Sequence, residues 1–134
     1  MNKNTQSIFN KKLLLVAIKI NVSAAIEEDL KNIDKTSDIL PKKIKGVAKI
    51  YVKQAAILCG SPWVDNCFHQ IDKDIRIVWH FSEGSKIKTG DEICTISGNY
   101  NRILMGERIA INFLQTLSAT ASTSNLINLK IKRY

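Results

Sequence analysis

The sequence predicts an α+β domain in which helices pack on one face of a small, mainly antiparallel sheet. Three observations predict it. The apolar spacing changes from helical to alternating and back, giving the order helix, strands, helix, strands, helix. Gly84, Gly90 and Gly98 punctuate short β-rich segments. Finally, 134 residues that are 45% hydrophobic and 24% charged suffice for one core without disulfide or metal staples.

Residues 1–12 are polar. Lys11 and Lys12 then precede the apolar run Leu13 to Ile18, which imitates a signal peptide, but Lys19 cuts it short of the usual length. Residues 1–21 are therefore expected to form a disordered or weakly ordered arm. Val22 to Leu30 reads as a short helix with Asn21 as its N-cap. Lys31 to Pro41 is a connection, dense in Asp, Asn, Ser and Thr. Val47 to Val52 is β-rich, and Ala55 to Cys59 is a second apolar run ending at Gly60. Ser61-Pro62 is a helix start, with the hydroxyl as cap and proline at the first helical position. Trp63, Val64, Cys67, Phe68 and Ile71 follow on one helical face.

Ile75 to His80 alternates like a strand, with Ile75, Ile77 and Trp79 on one face. Ser85 to Lys88 and Glu92 to Ser97 are two further strands turned by Thr89-Gly90-Asp91. Leu104 to Leu117 is helical again, with Ala110, Phe113, Leu114 and Leu117 as its apolar stripe. Arg108, Asn112 and Gln115 fall on a different face. The segment from Asn125 to Tyr134 is apolar and basic, with no evident packing partner.

The formal charge is +8, made of 16 lysines and only 4 arginines beside 20 isoleucines and 11 asparagines. Lys, Ile and Asn have AT-rich codons, so base composition accounts for the basicity, and the scarce arginine argues against phosphate recognition. No nucleic-acid or membrane partner is expected. Three cysteines without a CxxC pair fit reduced thiols, and no apolar run reaches the length of a membrane span, so the expected location is cytoplasmic.

Few residues carry chemistry. Glu27-Glu28-Asp29 reads as a solvated acidic cluster and Asp91-Glu92 as turn chemistry. His69 and His80 stand apart from other ligand types, and Ser118, Ser122 and Ser124 lack a histidine base. No catalytic residue and no metal ligand is assigned. The sharpest feature is the polar face of the last helix, where the fork of Arg108 suits a carboxylate or phosphate.

The stretch ILMGERIAINFLQTLSATAS resembles the signature of the quinolinate phosphoribosyltransferases, the carboxylating nicotinate-nucleotide pyrophosphorylases. The resemblance extends upstream through AAIEEDL, Asp34-Lys35-Thr36, ILCGSPWVDNCF and IVWHFSEGSKIKTGDEICTISG, from about residue 22 to residue 124. It departs at Ala119, where the family has glycine, and at Lys53-Gln54, where it has Arg-Glu.

The resemblance implies a family N-terminal domain, similar to an α/β-hammerhead, over 22–124, with 125–134 as a divergent tail where the family's C-terminal α/β barrel is missing. It implies the chemistry of joining quinolinate to phosphoribosyl pyrophosphate, giving nicotinate mononucleotide, pyrophosphate and CO2 in NAD biosynthesis, with Mg2+ held by residues outside this chain. Arg108 would then bind quinolinate in the neighbouring subunit's active site, within a dimer or higher homo-oligomer, and Glu107 would orient Arg108 or its helix end. Without the barrel's motifs, the 134 residues alone are expected to be inactive. The alternative is a non-catalytic remnant or dimerisation module. The hairpin from Gly84 to Gly98 also resembles biotinyl and lipoyl carriers, but Lys88 lacks the neighbours such a lysine has.

Overall fold

A computed structural model describes residues 3–31, 44–118 and 127–133. The elements run α1 (Lys3–Lys31), β1 (Lys45–Val52), β2 (Ala56–Ile57), α2 (Ser61–Ile71), β3 (Arg76–Trp79), β4 (Lys86–Ile87), β5 (Glu92–Asn99), α3 (Tyr100–Ser118) and β6 (Ile127–Arg133). Four strands form one sheet in the order β3-β5-β1-β6, every pair antiparallel, and β2 and β4 form a two-stranded ribbon. The α+β expectation holds.

Alternation along β1 turns Ala48, Ile50 and Val52 inward and leaves Lys45 and Lys49 exposed. The inward face meets Val64 and Phe68 of α2 and Ile103, Ala110 and Leu114 of α3. In β5 the alternation breaks, because Ile93 and Cys94 are both buried. The register explains it: Ile50 opposes Cys94 while Tyr51 opposes Glu92, so Ile93 is the extra residue of a bulge. Burial pushes the Cys67 thiol up to about 12 and raises that of Cys94 as well, so both stay neutral core fillers. On the open sheet face His80 Nε2 lies 3.0 Å from Thr95 Oγ1, which donates to Glu92 Oε1 at 3.2 Å.

Three sequence expectations are corrected. The first concerns residues 1–21: from Lys3 onward they belong to one helix of 29 residues running to Lys31. No glycine or proline interrupts it, and Ile18 and Val22, one turn apart, are buried beside Cys67 and Ile109. The second concerns 125–134: backbone pairing from Ile127 to Arg133 adds β6 along the edge of β1, opposite β5.

The third concerns the start of α2. The N-cap is Gly60 at φ 114, and the capping group is the carboxylate of Glu83. It accepts the Gly60 N–H at 2.9 Å and the Ser61 N–H and hydroxyl at 3.2 and 3.0 Å. An anion at the positive helix end satisfies donors that the helix cannot pair internally. Gly60 also lies close to α3, where an added Cβ would meet Leu117 Cδ1 at 3.2 Å. Glu83→Ala is expected to cost about 1–2 kcal/mol, measured by urea unfolding. An unchanged midpoint would show that water replaces the carboxylate without loss. Among the described residues no helix is long and apolar enough to cross a membrane.

Candidate functional site

Residues from three helices meet at a groove with a cavity of about 520 Å³. α3 supplies one wall. It starts cleanly because Asn99 Oδ1 accepts the Arg102 N–H at 3.1 Å, a side-chain cap. Its far end is held by Ser118, whose buried hydroxyl accepts the Cys59 N–H at 2.9 Å and donates to the Cys59 carbonyl at 2.7 Å. Ser118 is thus a structural clasp, as its lack of a base suggested. Between these ends Ile103, Gly106, Ala110 and Leu114 are buried against α2 and the sheet.

Arg108 and Asn112 are exposed and line the groove together with Ile109, Phe113, Thr116 and Leu117. α1 brings Asn21, Ala25, Glu28 and Asp29 to the opposite wall, and Trp63 of α2 closes one end. The predicted polar face therefore holds for Arg108 and Asn112, while Gln115 is half-buried and outside the lining. The predicted apolar stripe divides in two. Ala110 and Leu114 join the main core, whereas Phe113 packs with Ile109 and Trp63 toward α1. Helix α3 is gripped on two sides, and a single stripe could not show that.

Sequence reasoning missed the α1 wall. Asn21 was read only as a cap, the acidic cluster as solvated surface, and Trp63 as part of the apolar face of α2. The signal was present in Val22, Ala25 and Ile26 beside Asp29, spacing that turns the last two turns of α1 toward α2 and α3. Glu107 lies one position before Arg108, half-buried and outside the lining. Asp34 to Thr36 and Ala119 lie outside the described residues, so the structure places neither. Among the described residues no three His, Cys, Asp or Glu side chains group as a metal site.

A family model described as the N-terminal domain of quinolinate phosphoribosyl transferase matches residues 34–118, more than half of the chain. The chain belongs to this family. The match of this quinolinate phosphoribosyltransferase domain extends to whole proteins and solved structures. It is 25% identical over 107 residues to a chloroplastic nicotinate-nucleotide pyrophosphorylase of Oryza sativa subsp. japonica, covering 78% of this chain and 29% of the relative. It is 24% identical over 107 residues to a mitochondrial quinolinate phosphoribosyltransferase of Nicotiana tabacum, covering 78% of this chain and 30% of that one. The solved nicotinate-nucleotide pyrophosphorylase of Francisella tularensis superposes with a TM-score of 0.71 at 28% identity, over 75% of this chain and 36% of that one. The structure from Streptococcus pyogenes gives 0.69 at 26%, over 75% and 36%. The chain thus spans about 30% of the length of the curated relatives it matches.

Within the quinolinate phosphoribosyltransferase motif, burial raises the carboxyl pKa of Glu107 above its ordinary value. A carboxyl whose folded pKa lies above its unfolded one stabilises the fold below the unfolded pKa. That contribution fades as pH rises through the folded one. Glu107→Gln is therefore expected to gain stability at pH 7 relative to wild type, and to gain less at pH 4. Equal shifts at both pH values in chemical unfolding would contradict this.

Proposed function

We propose that this domain serves the transfer of a phosphoribosyl group from phosphoribosyl pyrophosphate to quinolinate, with release of pyrophosphate and CO2, in cytoplasmic NAD biosynthesis. Its part is to present Arg108 to the quinolinate carboxylates in a neighbouring subunit's active site. The observation that carries the reading is the charge of the groove. One exposed guanidinium stands on α3 while Glu28 and Asp29 stand across from it on α1. Two carboxylates repel a dianion, so the groove alone makes a poor quinolinate site. Arg108 instead supplies one bidentate contact to a ligand held mainly by another surface. Asn112, one turn along the same face, shares the groove lining with Arg108.

The chemistry requires both anionic substrates to be fixed beside a sugar carbon that becomes cationic, and Mg2+ to neutralise the departing pyrophosphate. Among the described residues no three His, Cys, Asp or Glu side chains group as a ligand set for that ion. Our reading places the metal and the pyrophosphate contacts in a barrel outside this chain. Glu107 is assigned the positioning of Arg108 through the helix they share.

The test is an activity assay in two parts. The 134 residues alone, given both substrates and Mg2+, are expected to release no CO2 from quinolinate above background. An assembly with a polypeptide carrying the family's remaining length is expected to turn over. Turnover by the isolated chain would overturn the division of labour, and an active assembly indifferent to Arg108 would overturn its role.

A further inference from the structure

The groove between α1 and α3 holds opposite charges that do not neutralise each other. Arg108 lines it from α3 and Asp29 from α1, yet among the described residues no ion pair joins the two. Asn21, Ala25 and Asp29 recur at every fourth position, so one face of α1 forms that wall. Asp29 is half-buried there, and its charge acts on the buried Cys67 thiol. Between the charged walls the lining is aromatic and apolar, with Trp63 and Phe113 beside Ile109 and Leu117.

A ligand that satisfies both walls carries a carboxylate for Arg108 and a cation for Asp29, on a flat apolar body. The guanidinium fork takes the carboxylate, and a cation lying over an indole face is attracted by the ring's quadrupole. A dianion meets Asp29 unfavourably, and a cation without a carboxylate leaves Arg108 unmatched. The cavity of about 520 Å³ falls within the roughly 300–1,000 Å³ of small-molecule sites.

We infer that the groove binds a pyridinium carboxylate, a flat ring with a cationic alkylated nitrogen and a single carboxylate, and that Asp29 selects the cationic ring. The choice of ring rests on the proposed phosphoribosyl transfer. Quinolinate enters that reaction with two carboxylates on a neutral ring. Joining its nitrogen to the sugar carbon makes the nitrogen cationic, and one carboxylate leaves as CO2. The groove therefore matches the ring as it stands after transfer, and the α1 wall rejects it as it stands before.

Amide and indole correlation spectra of the isotope-labelled 134-residue chain test this, with N-methylnicotinate, nicotinate and quinolinate as ligands at pH 7. The first two differ only at the ring nitrogen, cationic in one and neutral in the other. The Trp63 indole N–H signal is expected to shift on titration. That of Trp79, which donates to Asp65 Oδ1 at 2.7 Å outside the groove lining, is expected to stay. N-methylnicotinate is expected to bind at least about tenfold more tightly than nicotinate, and quinolinate more weakly than either. Asp29→Asn should bring the two nicotinates within about twofold of each other. Glu27→Gln, at an exposed position outside the lining, should leave their ratio unchanged. Arg108→Gln should weaken both alike, by about tenfold.

Equal wild-type affinities for the two nicotinates overturn the inference, whether or not a variant folds. So do a tighter quinolinate, a Trp63 signal unmoved at about 10 mM ligand, or a ratio that survives Asp29→Asn. The catalytic assembly separates this inference from the reading it rests on. An assembly that needs Arg108, beside a groove indifferent to ring charge, sinks the inference alone. A groove that selects the cationic ring, beside an assembly indifferent to Arg108, sinks the reading alone.

Discussion

In an active assembly, Arg108→Lys is expected to raise the quinolinate KM about a hundredfold while leaving the KM for phosphoribosyl pyrophosphate unchanged. The substitution keeps the charge and removes the fork. A guanidinium presents two parallel N–H groups to a carboxylate, whereas an ammonium offers a point charge on a more flexible stem. Losing one charge-assisted hydrogen bond of about 1.5–3 kcal/mol corresponds to roughly one to two powers of ten in affinity. If Arg108 holds the ground state and the transition state alike, kcat stays within a few-fold. Steady-state kinetics with each substrate varied in turn reads all three quantities. Arg108→Ala should lose more, because it also leaves the ligand's carboxylate unpaired. A quinolinate KM unchanged in both variants would remove Arg108 from the site.

The second large effect concerns the fold, and its sign runs against helix propensity. Gly106 lies inside α3, where alanine is ordinarily better by about 1 kcal/mol. Here an added Cβ would sit 2.6 Å from Phe68 Cε1, 2.8 Å from Phe68 Cδ1 and 3.0 Å from Ile71 Cδ1. Phe68 is itself enclosed in the core, so the ring cannot swing away without displacing its neighbours. Overpacking of this kind costs about 1–3 kcal/mol, enough to reverse the propensity gain. Gly106→Ala is therefore expected to destabilise by about 1 kcal/mol net, and Gly106→Val by more, in urea unfolding. Phe68→Leu in the Gly106→Ala background should restore part of the loss, giving a coupling energy of about 1 kcal/mol. A stabilised Gly106→Ala would mean that α2 and α3 separate easily. The groove would then lack the rigid wall that holds Arg108 in place.

What the sequence made legible follows from how each element is buried. β1 and β3 each turn one face to a neighbouring layer, and the apolar residues of α2 fall on one helical face although they divide between two clusters, so alternation or helical spacing marks all three directly. α1 was misread because its apolar residues from Leu13 to Ile20 obey no single period, one side belonging to the domain and the other lying open. The Glu83 cap was invisible because it comes from 22 residues away and depends on how the β3–β4 turn lies against Gly60. β6 was missed because Ile127 to Arg133 is identified by backbone pairing with β1, and backbone pairing has no residue code. At the site, Arg108 and Asn112 were legible from the motif and its helical spacing. The acidic α1 wall was not, because no local pattern tells a carboxylate facing solvent from one facing another helix.

The place of β1 between β5 and β6 has a consequence for synthesis. β1 is made early, yet neither of the strands that flank it is contiguous with it, and β6 begins only at Ile127. At roughly 5–20 residues per second a ribosome takes several seconds to carry the chain from Val52 to that point. Throughout that interval one edge of Lys45–Val52 offers an unpaired ladder of amides and carbonyls, with the apolar Ala48, Ile50 and Val52 alternating along it. Such an edge is the template on which nascent chains pair with one another. The nascent chain is thus exposed to misassembly until β6 arrives, and a chaperone acting on it would be needed most in those seconds.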